Sequence, residues 1–304
     1  MLKIKIGNIE FCSPVIASSG TFGYGDEVKS FVDISKLGGI VTKSITSEPR
    51  LGNSNPRILE SESGMLNAIG LANIGVNEFC DKKIPLINSL NTNIIVSVAG
   101  STIEDYVNVV KEIENTNGNH IGYEINISCP NTKKGGVEFG KDSDMTLKLT
   151  KSIRSLTNKL LIIKLSPNVT SIENIALAAE KGGADAISAI NTIVGMAIDI
   201  NTQKYKLSNK YGGLSGPAIR PIAIANVHKI FNVVSIPVIG IGGVRNSDDV
   251  IEFMLAGASL VQVGTMNYLN PAVGVEISAN LIKHCRNKNI FDISKVIGKV
   301  HNAK

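Results

Sequence analysis

Eight short, continuously apolar runs recur along the chain, at 15–19, 39–44, 94–99, 121–128, 160–166, 186–191, 237–242 and 259–264. Unbroken apolar segments of this length mark strands buried on both faces, the situation in a parallel sheet covered by helices. Helical patterns lie between them. Ile103, Tyr106, Val107, Val110 and Ile113 keep a 3.6-residue period. Ser171 is placed to cap a helix carrying Ile172, Ile175, Ala176 and Ala179. Ser247 is placed to cap another, with Asp248 and Asp249 in a first turn where negative charge suits the helix dipole. Glycines stand between helix and strand at Gly38-Gly39, Gly182-Gly183 and Gly257, because glycine tolerates the left-handed conformation that stops a helix. Eight strands alternating with helices predict an α/β fold of the (β/α)8 TIM-barrel type rather than an open doubly wound sheet. The alternation of Leu2-Lys3-Ile4-Lys5-Ile6, a Gly7-Asn8 turn and Ile9-Glu10-Phe11 predict a β-hairpin ahead of the barrel.

The 304 residues fit one such barrel with insertions, and no Pro/Gly/Ser-rich linker divides them, so 1–304 is read as a single domain. Three strand-to-helix connections are long: 45–73, 129–141 and 192–217. In a barrel they gather at the C-terminal mouth, where active sites are built. With 43% hydrophobic and 19% charged residues, a large core is possible and global disorder is excluded. The net charge of +5 comes without any Lys/Arg block interleaved with aromatics, which argues against nucleic acid as a partner. Residues 1–10 alternate apolar and charged side chains and hold no signal-peptide core. No stretch of about 18 apolar residues occurs, so no membrane span is expected. Four scattered cysteines, Cys12, Cys80, Cys129 and Cys285, none spaced as CxxC, suit a reducing cytoplasm and argue against a metal or iron–sulfur site on this chain.

The strongest local signal for chemistry is Asn126-Ile127-Ser128-Cys129-Pro130-Asn131, followed by Lys133-Lys134-Gly135-Gly136. A cysteine leaving a strand into a lysine-rich loop has its thiolate favoured, and a base of near-neutral pKa is what C–H deprotonation beside a carbonyl requires. The other three cysteines are read as packed small hydrophobes. Lys43 and Lys164 end otherwise apolar strands. Each is either a snorkelling strand-end lysine or the counter-ion of a phosphate, a carboxylate or a reduced flavin. Glycines cluster at the last two strands, in Gly240-Ile241-Gly242-Gly243 and Val263-Gly264-Thr265, where barrels commonly bind phosphate through exposed backbone N–H groups. Gly216 could let a cofactor approach closely. No complete GxGxxG is present, since Arg245 stands where the third glycine would be, so an internal dinucleotide site is not expected. Asn67, Asn126, Asn131 and Asn191 fall in mouth loops or strand ends. Their amides can read a planar imide or pyrimidine, or simply form turns.

Together these residues closely resemble the dihydroorotate dehydrogenases over almost the whole chain. The resemblance runs from Ala17-Ser18-Ser19-Gly20-Thr21-Phe22-Gly23 through Asn55-Pro56-Arg57, Gly64-Met65-Leu66-Asn67-Ala68-Ile69-Gly70-Leu71 and the Asn126–Asn131 segment. It continues through Ile190-Asn191-Thr192, Gly195-Met196-Ala197 and Gly213-Leu214-Ser215-Gly216-Pro217 to Val263-Gly264-Thr265. The resemblance implies that Cys129 takes the C5 proton of dihydroorotate while a hydride passes from C6 to N5 of FMN, giving orotate in pyrimidine biosynthesis. It implies that Lys43, Asn67, Ala68, Ile69, Gly70, Leu71, Asn126, Asn191 and Thr192 hold the substrate. Ser19, Lys43, Ser44, Asn126, Lys164, Ile190, Gly216, Gly242, Gly243, Gly264 and Thr265 would hold FMN. Cysteine as the base resembles the soluble class, and the Gly64–Leu71 and 133–136 segments resemble its NAD-linked branch. That branch pairs a homodimer of the FMN chain with a subunit carrying FAD and a 2Fe-2S cluster, in a heterotetramer. One departure is Ser97, where relatives often have asparagine near the flavin, so Ser97 is not counted as a ligand. The competing readings are the fumarate-dependent homodimeric branch, a pyrimidine-reducing relative, and a non-catalytic phosphate-binding barrel.

Overall fold

The computed structural model describes residues 1–128 and 139–302. Eight parallel strands close into a barrel: β1 (Val15–Ala17), β2 (Gly39–Val41), β3 (Ile94–Val98), β4 (Gly122–Asn126), β5 (Leu160–Leu165), β6 (Ala186–Ala189), β7 (Val238–Ile241) and β8 (Ala258–Val263). Each pairs with its neighbour in sequence, and β8 closes on β1 through Val261↔Val15, Gln262↔Ile16 and Val263↔Ala17. Every residue of β3, β5, β6 and β7 is buried, the expected result of covering a parallel sheet on both sides. The eight apolar runs thus map onto the eight strands. Most of them continue one to three residues beyond the C-terminal end of the ladder, as at Ser18-Ser19, Thr42–Ser44 and Ile190-Asn191. There Ser18, Thr42, Ser44 and Ile190 remain buried while Ser19, Lys43 and Asn191 are partly open, because this stretch forms the wall of the mouth.

The helices follow local chemistry. Ile103–Glu114 opens on Thr102, which accepts from the Asp105 N–H in a full capping box. It buries Tyr106, Val109, Val110 and Ile113, one face of its 3.6-residue period. Ser171 caps Ile172–Lys181 as its position predicts. The cap of Ser247–Leu255 is Asn246 rather than Ser247: the Asn246 side chain accepts from the N–H groups of Asp248 and Asp249, and Ser247 is the first helical residue. Gly183 and Gly257 adopt the expected left-handed conformation, with φ of +98° and +119°. Gly38 does not; the element before it is only a 3-10 turn, Ile34–Lys36. The N-terminal hairpin pairs Ile4–Ile6 with Ile9–Phe11 and sends Ile4, Ile6 and Phe11 into the main core. Cys285 is buried in that core, whereas Cys12 is exposed and its thiol donates to the Leu37 carbonyl at 3.1 Å.

The connections 45–73 and 192–217 are not irregular loops. They build a four-stranded antiparallel sheet over the mouth, in the order Ile193–Met196, Tyr211–Ser215, Gly64–Asn67, Ile58–Ser61. Asn67 pairs with Gly213, Leu66 with Leu214 and Met65 with Ser215. A small core of Leu66, Ala68 and Leu207 holds this sheet together, separate from the barrel core. No helix among the described residues is long and apolar enough to cross a membrane.

Candidate active site

Between the mouth sheet and the barrel lies a cavity of about 970 Å³, at the upper end of the size that small-molecule sites occupy. It lies at the end of the barrel where strands finish, and every strand end but that of β3 contributes residues to its wall. From β1 and β2 come Ser19, Lys43 and Ser44; from β4 and β5 come Asn126 and Lys164. Ile190, Asn191 and Thr192 follow β6, Gly242 and Gly243 follow β7, and Gly264 and Thr265 follow β8. The mouth sheet and its loop add Asn67, Ala68, Ile69, Gly70, Leu71 and Gly216. Every sequence-predicted site residue within the described segments therefore lines the same cavity. Cys129 and Asn131 fall in 129–138, outside the described residues; Ser128, immediately before them, is on the cavity wall.

The polar groups of the mouth are tied together. Asn126 Oδ1 accepts from Asn191 Nδ2 at 3.3 Å and from the Ser128 N–H at 3.2 Å. Its carbonyl accepts from the Tyr106 hydroxyl at 2.7 Å. Asn191 Oδ1 in turn accepts from the Thr192 N–H at 2.7 Å, and Asn67 Nδ2 donates to the Gly213 carbonyl at 3.3 Å. Amides anchored this way present fixed donors and acceptors to a bound ring. Ser44 hydrogen-bonds Ser97 at 2.8 Å. Ser97 is fully buried and does not line the cavity; it supports Ser44 from beneath.

Two of the basic residues lining the cavity, Lys43 and Lys164, come from the barrel strand ends. The Lys43 side chain makes no ion pair and no hydrogen bond among the described residues. Burial first, and then the charge of Arg57, lower its pKa. An ammonium in that condition is stabilised by an incoming anion. Lys164 is almost fully buried, with Nζ 3.4 Å from Glu124 Oε1. At the ends of β7 and β8 the backbone itself is the binding surface. The N–H groups of Gly242, Gly243, Gly264 and Thr265 have no acceptor among the described residues. Gly242 and Gly243 have φ of +131° and +73°. A Cβ on Gly243 would sit 2.8 Å from both the Arg220 Cβ and the Gly216 carbonyl oxygen. Only glycine keeps this backbone bare and correctly turned. Asp249 pairs with Arg220 and accepts from the Arg245 N–H at 2.8 Å, fixing the loop behind the glycines.

A barrel with unpaired backbone donors after β7 and β8, and lysines at β2 and β5, fits several anion-binding enzymes. The comparison with known families decides among them: residues 1–285 match the family described as dihydroorotate dehydrogenase. The chain belongs to the dihydroorotate dehydrogenase family. The dihydroorotate dehydrogenase B (NAD(+)) catalytic subunit of Alkaliphilus metalliredigens is 46% identical over 299 residues, covering 98% of both chains. The corresponding subunit of Bacteroides thetaiotaomicron is 46% identical over 297 residues, again 98% of each. A crystal structure of DHODH from Eimeria tenella in complex with ferulenol shares the fold, with a TM-score of 0.82 at 22% identity over 99% of this chain and 88% of that one.

For a dihydroorotate dehydrogenase-family chain, sequence reasoning left out several residues of the cavity. Arg50, Asn168, Ser215 and Tyr268 all line it. Asn168 Nδ2 donates to the Thr192 carbonyl at 3.0 Å, and Thr265 Oγ1 donates to Ser215 Oγ at 2.8 Å. They lie in loops, a mouth strand or, for Tyr268, the short 3-10 turn Thr265–Tyr268, where neither periodicity nor an apolar run singles them out. The omission with most consequence is Glu124. It is the only acidic residue inside any of the eight apolar runs, and that signal was available in the sequence.

Proposed function

We propose that the chain is the FMN-bearing catalytic subunit of an NAD-linked dihydroorotate dehydrogenase. It oxidises dihydroorotate to orotate in pyrimidine biosynthesis, and a partner subunit carrying FAD and a 2Fe-2S cluster passes the electrons to NAD. The names of the relatives support the substrate and the NAD-linked branch over a fumarate-dependent one. The observation that carries the reading is the cavity itself, which joins a Lys43 ammonium and four backbone donors, all without partners among the described residues, at one barrel mouth.

FMN fits this donor set. Gly242, Gly243, Gly264 and Thr265 suit a phosphate, because their backbone N–H groups have no acceptor among the described residues and, at left-handed Gly242 and Gly243, no side chain can block the approach. Ser19, Lys43, Ser44, Asn126, Lys164, Ile190 and Gly216 would hold the remainder. When bound, FMN supplies the two-electron acceptor for the hydride that leaves C6 of dihydroorotate. Asn67, Ala68, Ile69, Gly70, Leu71, Asn126, Asn191 and Thr192 would orient the pyrimidine, with Lys43 facing its negative charge. Cys129 Sγ would take the proton from C5. The mouth sheet roofs the site and limits access of water, which strengthens each of these polar contacts.

The test is an anaerobic stopped-flow experiment on the full chain reconstituted with FMN. Dihydroorotate should bleach the flavin absorbance, and no bleaching would refute the reading. Cys129→Ser should retain FMN but bleach about 10²–10⁴-fold more slowly at neutral pH, with partial recovery as pH rises, because positioned base catalysis contributes on that scale. A near-wild-type rate would remove Cys129 from the role of base.

A further inference from the structure

Barrel interiors are usually filled by branched aliphatic side chains. Here a fully buried carboxylate, Glu124 on β4, sits in the interior beneath the cavity floor. Three donors converge on it from three other strands. Ser188 Oγ on β6 donates to Oε2 at 3.0 Å. Gln262 Nε2 on β8 donates to the same oxygen. Lys164 Nζ on β5 lies 3.4 Å from Oε1. Oε1 accepts no hydrogen bond among the described residues, so the lysine is its sole neighbouring charge there. Gln262 Oε1 is likewise buried without a donor. Turning that amide over would aim its oxygen at a carboxylate, so its orientation is fixed. The Lys164 ammonium has the carboxylate on one side and the cavity on the other.

We propose that Glu124 is a positioning residue that holds the Lys164 ammonium at the cavity floor, facing the flavin; this rests on the reading of the cavity as an FMN site. The chemistry of the hub is specific to a carboxylate. A carboxylate offers two acceptor oxygens, one for the Ser188 and Gln262 donors and one for the lysine. An amide offers a single acceptor. Glu124→Gln removes the negative charge that faces the ammonium, and it offers Lys164 a neutral acceptor only if Ser188 and Gln262 both turn from donating to accepting. A buried ammonium that loses its partner moves toward water or another anion. Here the long, flexible lysine stem allows it to leave the floor.

The test compares the full-length wild type with Glu124→Gln, Lys164→Met and the double variant, each reconstituted with FMN. The readouts are the FMN dissociation constant and the midpoint potential of the bound flavin. The wild type should hold FMN, and Glu124→Gln should weaken it at least tenfold. It should also move the midpoint potential in the same direction as Lys164→Met, toward harder reduction. The double variant should be no worse than Lys164→Met alone, because residues that act through one another are non-additive. A potential that moves the other way would mean that a negative charge was deleted while the ammonium stayed in place, and would overturn the proposal. So would additive losses, or FMN binding within twofold of wild type. If Glu124→Gln does not fold, recovery of folding in the double variant, where both groups are neutral, supports the pair; failure to recover assigns Glu124 to the fold alone and overturns it. A wild type that takes up no FMN would instead bring down the reading of the cavity, and the proposal with it.

Discussion

His120 is buried at the start of β4, and its ring is held in one protonation state by its neighbours. The Tyr123 hydroxyl donates to Glu114 Oε1 at 2.7 Å, so its oxygen is free to accept from His120 Nε2–H at 2.9 Å. His120 Nδ1 is then left buried with no partner among the described residues. A second proton would have to go there, and burial, reinforced by the charge of Lys159, pushes the imidazole pKa from 6.5 down to about 4. Because the folded value lies below the unfolded one, the unfolded chain binds more protons between these pH values. Stability is therefore full above about pH 6.5 and falls as pH drops toward 4, by about 3 kcal/mol at most. Urea denaturation of wild type and His120→Gln across this range should show the difference between the two curves shrinking with acid. A constant difference would mean that His120 does not titrate with folding. At this scale, much of the cavity was legible from the sequence. Lys43, Lys164 and the asparagines stood out as polar residues at strand ends or in mouth loops, where a structural use was equally open, and the family resemblance is what assigned them to a site. Ser97, by contrast, owes its place to Ser44 above it, a contact that no local pattern announces.

Among the elements, the barrel strands were readable and the mouth strands were not, for opposite reasons. A strand buried on both faces needs an unbroken apolar run. The mouth strands are only half covered, with Ile58–Ser61 and Ile193–Met196 alternating between exposed and partly buried positions. Tyr211–Ser215 contains Gly212 and Gly213, which carry little strand propensity. They are nevertheless required, since a Cβ on Gly213 would collide with the Thr192 side chain and one on Gly212 would press on Leu207 and the Asn67 carbonyl. The mouth sheet depends on a core of three buried residues, so it should open independently of the barrel. Leu66→Ala should cost about 2 kcal/mol, the low end for a leucine deletion, and the cost should be local. Hydrogen exchange should speed up in 58–67 and 193–215 while the barrel strands keep their protection. Uniform loss of protection would show that sheet and barrel unfold as one unit.

For the whole molecule, the sequence offers no dinucleotide fingerprint, and the proposed function assigns the donors at the mouth to one flavin and one small acid. The isolated chain, loaded with FMN, should accept electrons from dihydroorotate but reduce NAD poorly until the partner subunit is added. Rapid NAD reduction by the homogeneous chain alone would contradict the two-subunit reading. The mouth sheet also bears on how the protein is made. Its central pairing joins Asn67 to Gly213 across 146 residues, and the phosphate cradle comes from β7 and β8, near the end of the chain. Closing so long a loop is entropically slow and brings no reward until both partners exist. A chain emerging from the ribosome therefore carries Lys43 and Asn67 long before it has a roof to cover them or a cradle to anchor a nucleotide. On the proposed reading, flavin uptake would follow synthesis, and a prematurely terminated chain would lack the cradle to hold it.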